Sequence, residues 1–221
     1  MLMRNLMLTC AVLAAVGLAS CKIVPTAEVE AARKGAGSAP GEAAFNPDKM
    51  VDDIWDAKVI PYLEAKAGPF ADVRDLARKS PDEAGRKYGF RAKEGNTPWT
   101  LVIKAEGRIV EANTESRAGT VGVDVDGDGK TDFTVQIGPA MRGTALRDSL
   151  DFVSFNSFTN QIDYAQFGKA FNLRVNRTLL QGLPRDRLVG RSITVLGAYS
   201  LDSPGQAPLV TPAEIKLGPA P

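Results

Sequence analysis

The segment Asp124-Val125-Asp126-Gly127-Asp128-Gly129-Lys130-Thr131-Asp132 crowds four carboxylates into one short stretch. Charges that close repel one another unless a cation or solvent relieves them. The aspartates fall at the first, third, fifth and ninth positions of a calcium loop. Gly129 stands at the sixth, where such loops turn sharply, and Lys130 at the seventh, which supplies a backbone carbonyl. The spacing therefore predicts Ca2+ held by Asp124, Asp126, Asp128, Asp132 and the Lys130 carbonyl. Two positions depart from the pattern: Val135 replaces the bidentate glutamate at the twelfth, and Thr131 the aliphatic at the eighth. A plain hairpin turn reads the same residues differently, because Asp-Gly pairs are favoured where a turn needs positive φ. The two readings are compatible, and in either the role is to stiffen a hairpin.

A second run is rich in amides and guanidinium groups. It begins Gln136-Ile137-Gly138-Pro139-Ala140-Met141-Arg142-Gly143-Thr144-Ala145-Leu146-Arg147-Asp148 and continues to Tyr164. Arg142 and Arg147 carry planar donor forks suited to carboxylate or phosphate. Asn156, Asn160 and Gln161 both donate and accept, which suits hydroxyl-rich ligands such as sugars. With Asp148 they form the expected ligand-binding set. The competing account is internal: these groups satisfy each other and buried backbone, with Arg147 pairing Asp148 or Asp151 to pin an irregular crossing. Asp148 and Asp151 are also the carboxylate pair that a glycan-cleaving enzyme would need. Phe152, Phe155, Phe158, Phe167 and Phe171 are expected in the core, as is Trp55. Trp99, near a strand start, is the better of the two as a stacking surface for a sugar, although a structural role is the first expectation for it as well. Arg174, Arg177, Arg185, Arg187 and Arg191 read as a solvated basic face, with an acidic partner surface or anionic lipid heads as the alternatives.

Absences narrow the chemistry further. The chain has no histidine, and its cysteines are Cys10 and Cys21. That removes the commonest general base and transition-metal ligand, and a function without catalysis is expected. With 27 basic and 26 acidic residues, there is no surplus of positive charge for a phosphate backbone, so nucleic acid is not an expected partner.

The N-terminus predicts the address. Arg4 precedes an apolar stretch, Leu6 to Leu18, which is too short to span a bilayer comfortably. Leu18-Ala19-Ser20-Cys21 closes it as a lipobox. Residues 1–20 are thus a lipoprotein signal peptide and Cys21 the lipidation site. Two or more acyl chains make such anchoring stable. Lys22, standing where an aspartate would signal inner-membrane retention, favours the outer membrane. Residues 21–44, with Gly35-Ala36-Gly37-Ser38-Ala39-Pro40-Gly41 at their centre, read as a flexible tether. Residues 45–221 are expected to form a single globular domain, helical over 46–89 and barrel-like over 97–217.

The elements must position these groups. Asn46-Pro47 opens a helix that continues past a kink at Pro61. Val73, Leu76 and Ala77 mark a second helix, and Ser80-Pro81-Asp82-Glu83 a capping box for a third that Gly89 stops. Strands are expected at 100–104, 107–112, 119–125 and 132–137. A helix over 163–182 follows, then strands at 192–199 and 209–217. Helices followed by a small antiparallel barrel with one inserted helix define an α+β fold with an OB-like barrel.

The run from Arg142 to Ile162, the lipobox and Ile54-Trp55-Asp56 resemble predicted periplasmic lipoproteins catalogued as domain of unknown function 2291. The Asp124–Asp132 loop is similar to those of dockerins and integrin-type propeller repeats, the propeller hairpin being the nearer. The family resemblance implies an envelope lipoprotein without established activity, whose genes neighbour those of sugar ABC transporters. The expectation is a non-enzymatic accessory or binding lipoprotein of a sugar uptake system. The alternatives are a calcium-stiffened structural lipoprotein and, third, an enzyme acting on an envelope glycan.

Overall fold

A computed structural model of the chain describes residues 45–92, 97–202 and 207–219. The expected leader, Cys21 and the tether lie outside the described residues. From Asn46 onward the chain forms one compact unit.

Helix α1 (Pro47–Ile54) starts as its sequence dictates: the Asn46 side chain accepts the Lys49 N–H at 3.0 Å, and proline takes the first helical position. The expected kink takes the form of a π turn, Trp55–Val59, ahead of α2 (Ile60–Lys66). The wide turn falls just before Pro61, which has no N–H to contribute. Strand β1 (Gly68–Pro69) leads into α3 (Phe70–Lys79) and α4 (Pro81–Tyr88), then β2 (Gly89–Phe90). The Ser80 capping box is not formed. The serine side chain makes no capping bond, and its main-chain carbonyl accepts the Glu83 and Ala84 N–H groups instead. Asp82 and Glu83 still place negative charge at the positive end of the helix.

The barrel strands are β3 (Thr100–Asn113), β4 (Ala118–Asp124), β5 (Phe133–Pro139), β6 (Ser192–Ser200) and β7 (Leu209–Leu217). Two strands were expected where β3 runs unbroken. Gly107 does not interrupt it; the chain passes so close to β4 that a Cβ there would meet the Asp124 carbonyl oxygen. A bulge between Ile109 and Glu111 bends β3 instead. β3 pairs with both β4 and β6, β4 with β5, β5 in parallel with β7, and β7 with β6. The ring closes, leaving no barrel edge unpaired. Between β5 and β6 the chain forms α5 (Ala145–Asp148), a 3-10 turn (Phe155–Ser157) and α6 (Gln161–Val175), which runs into a π turn at Asn176–Leu180. This is an α+β fold with an OB-like barrel and an inserted helix.

Side chains alternate along the strands and so build two cores. Leu101, Ile103, Ala105, Val121, Val123, Phe133, Val135 and Val195 fill the barrel, joined by Phe70, Val73 and Ala77 of α3. Val102, Leu196, Ala198 and Ala213 face outward beneath α1, α2 and α6, packing with Val51, Trp55, Leu63, Phe167 and Phe171. Phe70 and Phe133 meet with ring centroids 4.6 Å apart, fastening α3 to the barrel.

Candidate functional site: a cleft at one end of the barrel

Thr100 of β3 pairs with Ser200 of β6, and Thr134 of β5 with Leu209 of β7. The start of β5, the end of β6 and the start of β7 therefore gather at one end of the barrel. Helix α3 packs there as well. Between these elements and the segment before α5 lies a half-open cleft of about 1130 Å3. Its walls include Arg74 and Arg78 of α3, Thr131 and Asp132 of the β4–β5 loop, Arg142, Thr144 and Asp148 around α5, and Tyr199, Ser200 and Asp202 at the end of β6.

Gln136 explains how Arg142 reaches this wall. Its side chain is buried in the barrel flank, and its amide nitrogen donates to the Thr211 hydroxyl at 2.9 Å and to the Arg142 carbonyl at 3.0 Å. Its amide oxygen accepts the Arg142 N–H at 2.7 Å. The Arg142 backbone is thus clasped on both sides, while its side chain is exposed. Gly143, at φ 73°, turns the chain sharply into α5.

Arg147 behaves differently. Its guanidinium lies over the Tyr164 ring at 3.8 Å and donates to Asp148 at 2.8 Å, the Thr144 hydroxyl at 3.1 Å and the Tyr164 carbonyl at 3.1 Å. Asp148 also accepts from the Thr144 hydroxyl. Gly168 makes room for this arrangement, since a Cβ there would meet Arg147 Nη1 at 2.7 Å. Arg147 is therefore a clamp between α5 and α6. Tyr164 and Asp148 belong to the same clamp, and burial raises the Tyr164 hydroxyl pKa above its ordinary value.

Of the six residues expected to bind ligand, Arg142 and Asp148 line the cleft. Arg147 stands behind Asp148. Asn160 caps α6, accepting the Asp163 N–H at 2.9 Å and donating to the Asp163 carboxylate at 3.0 Å. Gln161 opens that helix and is exposed, as is Asn156 in the 3-10 turn.

The aromatic expectations divide the same way. Phe167, Phe171 and Trp55 are buried, and Phe158 packs against their cluster. Phe152 and Phe155 are each 43% exposed, contrary to expectation. They sit on the turns before α6 and touch Tyr62 and Tyr164 edge-on instead of entering the core. Trp99 does not present a bare face to a sugar. Arg91 lies 4.4 Å from its ring centroid, Gly85 of α4 packs against it, and its indole N–H donates to Asp82 at 2.7 Å. Four of the five basic residues become structural ties: Arg174 and Arg177 to Asp52, Arg185 to the Ile137 and Gly138 carbonyls, and Arg191 to the Gly218 carbonyl, while Arg187 stays exposed beside Asp186.

In the β4–β5 loop the carboxylates of Asp124, Asp126 and Asp128 offer oxygens within 4.8 Å of one another. Asp124, 5% exposed, accepts the Gly127 N–H at 2.7 Å and the Gly129 N–H at 2.9 Å. Both glycines have positive φ, 83° and 82°, which a side chain would resist. Asp126 accepts from the Asp128 N–H, and Asp128 from the Lys130 N–H and ammonium. Asp132 is turned away: one oxygen accepts the Val125 N–H at 2.8 Å and the other the Arg74 guanidinium at 2.7 Å. The loop holds its shape through its own amides, and Asp132 ties it to α3 at the cleft wall.

Arg74, Arg78 and Tyr199 escaped the sequence reading. Arg74 and Arg78 stand four apart on a helix, which puts them on one face, but nothing local says that this face borders a cleft. Tyr199 is a strand residue whose ring belongs to the barrel core, and burial pushes its hydroxyl pKa up to about 12.

Comparison with known proteins fits this architecture. Residues 11–216 match a family of predicted periplasmic lipoproteins, DUF2291. The chain belongs to that family. It is accordingly a lipoprotein of the cell envelope facing the periplasm. Among solved structures, an OB-fold protein from Thermotoga maritima is similar at 16% identity with a TM-score of 0.64, over 80% of this chain and all of the other. That likeness concerns the fold. No curated protein matches the lipoprotein. Among the described residues, no helix is long and apolar enough to cross a membrane.

Proposed function

We propose that this lipoprotein is a non-enzymatic binding component of the envelope, serving as an accessory to a sugar ABC uptake system. The observation that carries the reading is the cleft, where guanidinium groups and hydroxyls from α3, the β4–β5 loop, the α5 segment and β6 converge on a space of ligand size. Of the two carboxylates nearest to a catalytic pair, Asp148 is already engaged by Thr144 and Arg147. That favours holding a ligand over cleaving one. Lipid at Cys21 would keep the cleft near the membrane, and Lys22 favours the outer membrane. Density-gradient separation of the two membranes tests that placement.

The decisive experiment is crosslinking in intact cells followed by affinity capture of the full-length lipidated protein. Recovery of sugar-transporter components is the expected result. Capture that returns no transporter component above the control removes the accessory role.

A second reading, a calcium-stiffened structural lipoprotein, is favoured by the convergence of Asp124, Asp126 and Asp128. In it Ca2+ would take those carboxylates and the Lys130 carbonyl, and Asp132 would join only by leaving Arg74. It predicts a rise in Tm with Ca2+ and no response to saccharides.

A further inference from the structure

The charge left over in the cleft narrows the ligand. Arg74 is paired with Asp132 at 2.7 Å and Arg147 with Asp148, so these four groups largely neutralise one another. Arg78 and Arg142 line the same cleft with no ion-pair or hydrogen-bond partner for their guanidinium groups among the described residues. Asp202 also lines it and has interactions of its own. The neutral groups nearby, Thr131, Ser200 and Tyr199, are hydroxyls. The Tyr199 hydroxyl is protonated at neutral pH, as any tyrosine is, and can both donate and accept. The cleft therefore offers two unspent donor forks beside hydroxyls that can both give and accept.

We propose that the cleft binds an acidic saccharide, a polyhydroxy ligand whose oxyanion is held by Arg78 and Arg142. The inference rests on reading the cleft as a ligand site and adds the charge of the ligand. A guanidinium fork meets a carboxylate or phosphate through two parallel N–H···O bonds, which a neutral sugar cannot match. The hydroxyls supply the contacts that a simple inorganic anion would not use. Because the cleft is half open, the ionic part of the affinity is screened by salt.

The test is calorimetric titration of the full-length protein in detergent with three probes: a uronic-acid oligosaccharide, a sugar phosphate, and a neutral oligosaccharide of the same length as the first. Saturable binding of the uronate or the phosphate, at least about tenfold tighter than the neutral sugar and weakened by salt, is expected. The two acidic probes distinguish carboxylate from phosphate as the source of the oxyanion. Arg78→Ala and Arg142→Ala should each weaken that binding about tenfold at unchanged Tm, while Arg187→Ala, at a residue that does not line the cleft, should leave it unchanged. Equal affinity for neutral and acidic sugars, or binding indifferent to both arginine variants, overturns the charge assignment and leaves the cleft as a sugar site. Failure of all three probes to bind overturns the cleft reading as well.

Discussion

Arg142 and Arg147 lie on either side of one tight turn and look alike in the sequence, yet the fold uses them oppositely. The Arg147 side chain is 10% exposed, stacked on Tyr164 and bonded to Asp148, Thr144 and a main-chain carbonyl. Arg142 has its backbone clasped by Gln136 and its guanidinium left in the cleft. The difference lies in what α6 brings. Gly168 and Tyr164 create a slot that fits one arginine, and that slot faces Arg147. A charge whose partners are all supplied by the protein holds the structure together, whereas one supplied with none is available to a ligand.

The largest effect that tests this contrast is on stability. Arg147→Ala should lower the unfolding free energy by about 3 kcal/mol, because it breaks a mostly buried ion pair and removes a stacked side chain. Arg142→Ala should change it by less than about 0.5 kcal/mol, as surface substitutions do. Urea midpoints of the two variants measure the gap directly. Equal losses would mean that Arg142 is as structural as Arg147, and the cleft would lose its leading cation.

The second effect concerns the loop that braces the cleft. Asp124 is nearly buried and takes two amide hydrogens, so Asp124→Asn puts an NH2 group against one of them. The expected cost is about 2 kcal/mol in the absence of added metal, within the range for a lost charge-assisted hydrogen bond. If Ca2+ occupies the Asp124–Asp128 cluster, it should raise the Tm of the wild type and do less for this variant. A Tm unmoved by Ca2+ in both would leave the loop as a self-satisfied hairpin, and with it the calcium-stiffened reading would fall.

These contrasts also mark how far the sequence could be read. The barrel was legible because strand alternation and turn residues are local, and β6 and β7 end within a residue of their expected limits. The inserted helix was legible from the spacing of Phe167 and Phe171. The family was legible from a contiguous run. The fate of each polar group was not. Whether Arg147 is spent depends on Tyr164 and Gly168, and whether Asp132 reaches a cation site depends on Arg74, more than fifty residues earlier. Phe152 and Phe155 carry a core-like residue type, but the turns before α6 leave them at the surface. Local patterns set the elements; pairing across them sets what remains for function.

A second arginine pair gives the smallest and finest test. Arg174, in the last turn of α6, and Arg177, in the π turn that follows, both contact Asp52 of α1, and Arg174 also lies 4.9 Å from the Trp55 ring centroid. Partial burial raises the Asp52 carboxyl, but the hydrogen bond from Arg174 and the charge of Arg177 outweigh it and hold the carboxyl below its ordinary value. The sign follows from that direction. A group more acidic in the folded than in the unfolded chain stabilises the fold above the ordinary carboxylate pKa, and that contribution is lost as pH falls through the folded value. Asp52 is partly exposed, so solvent screens the pair and the contribution should stay below about 0.5 kcal/mol. Urea midpoints of wild type and Asp52→Asn should therefore differ slightly near neutrality and converge in acid. A difference that persists undiminished in acid would show that Asp52 acts through packing alone, and Arg174 would then hold its place by stacking on Trp55 rather than by charge.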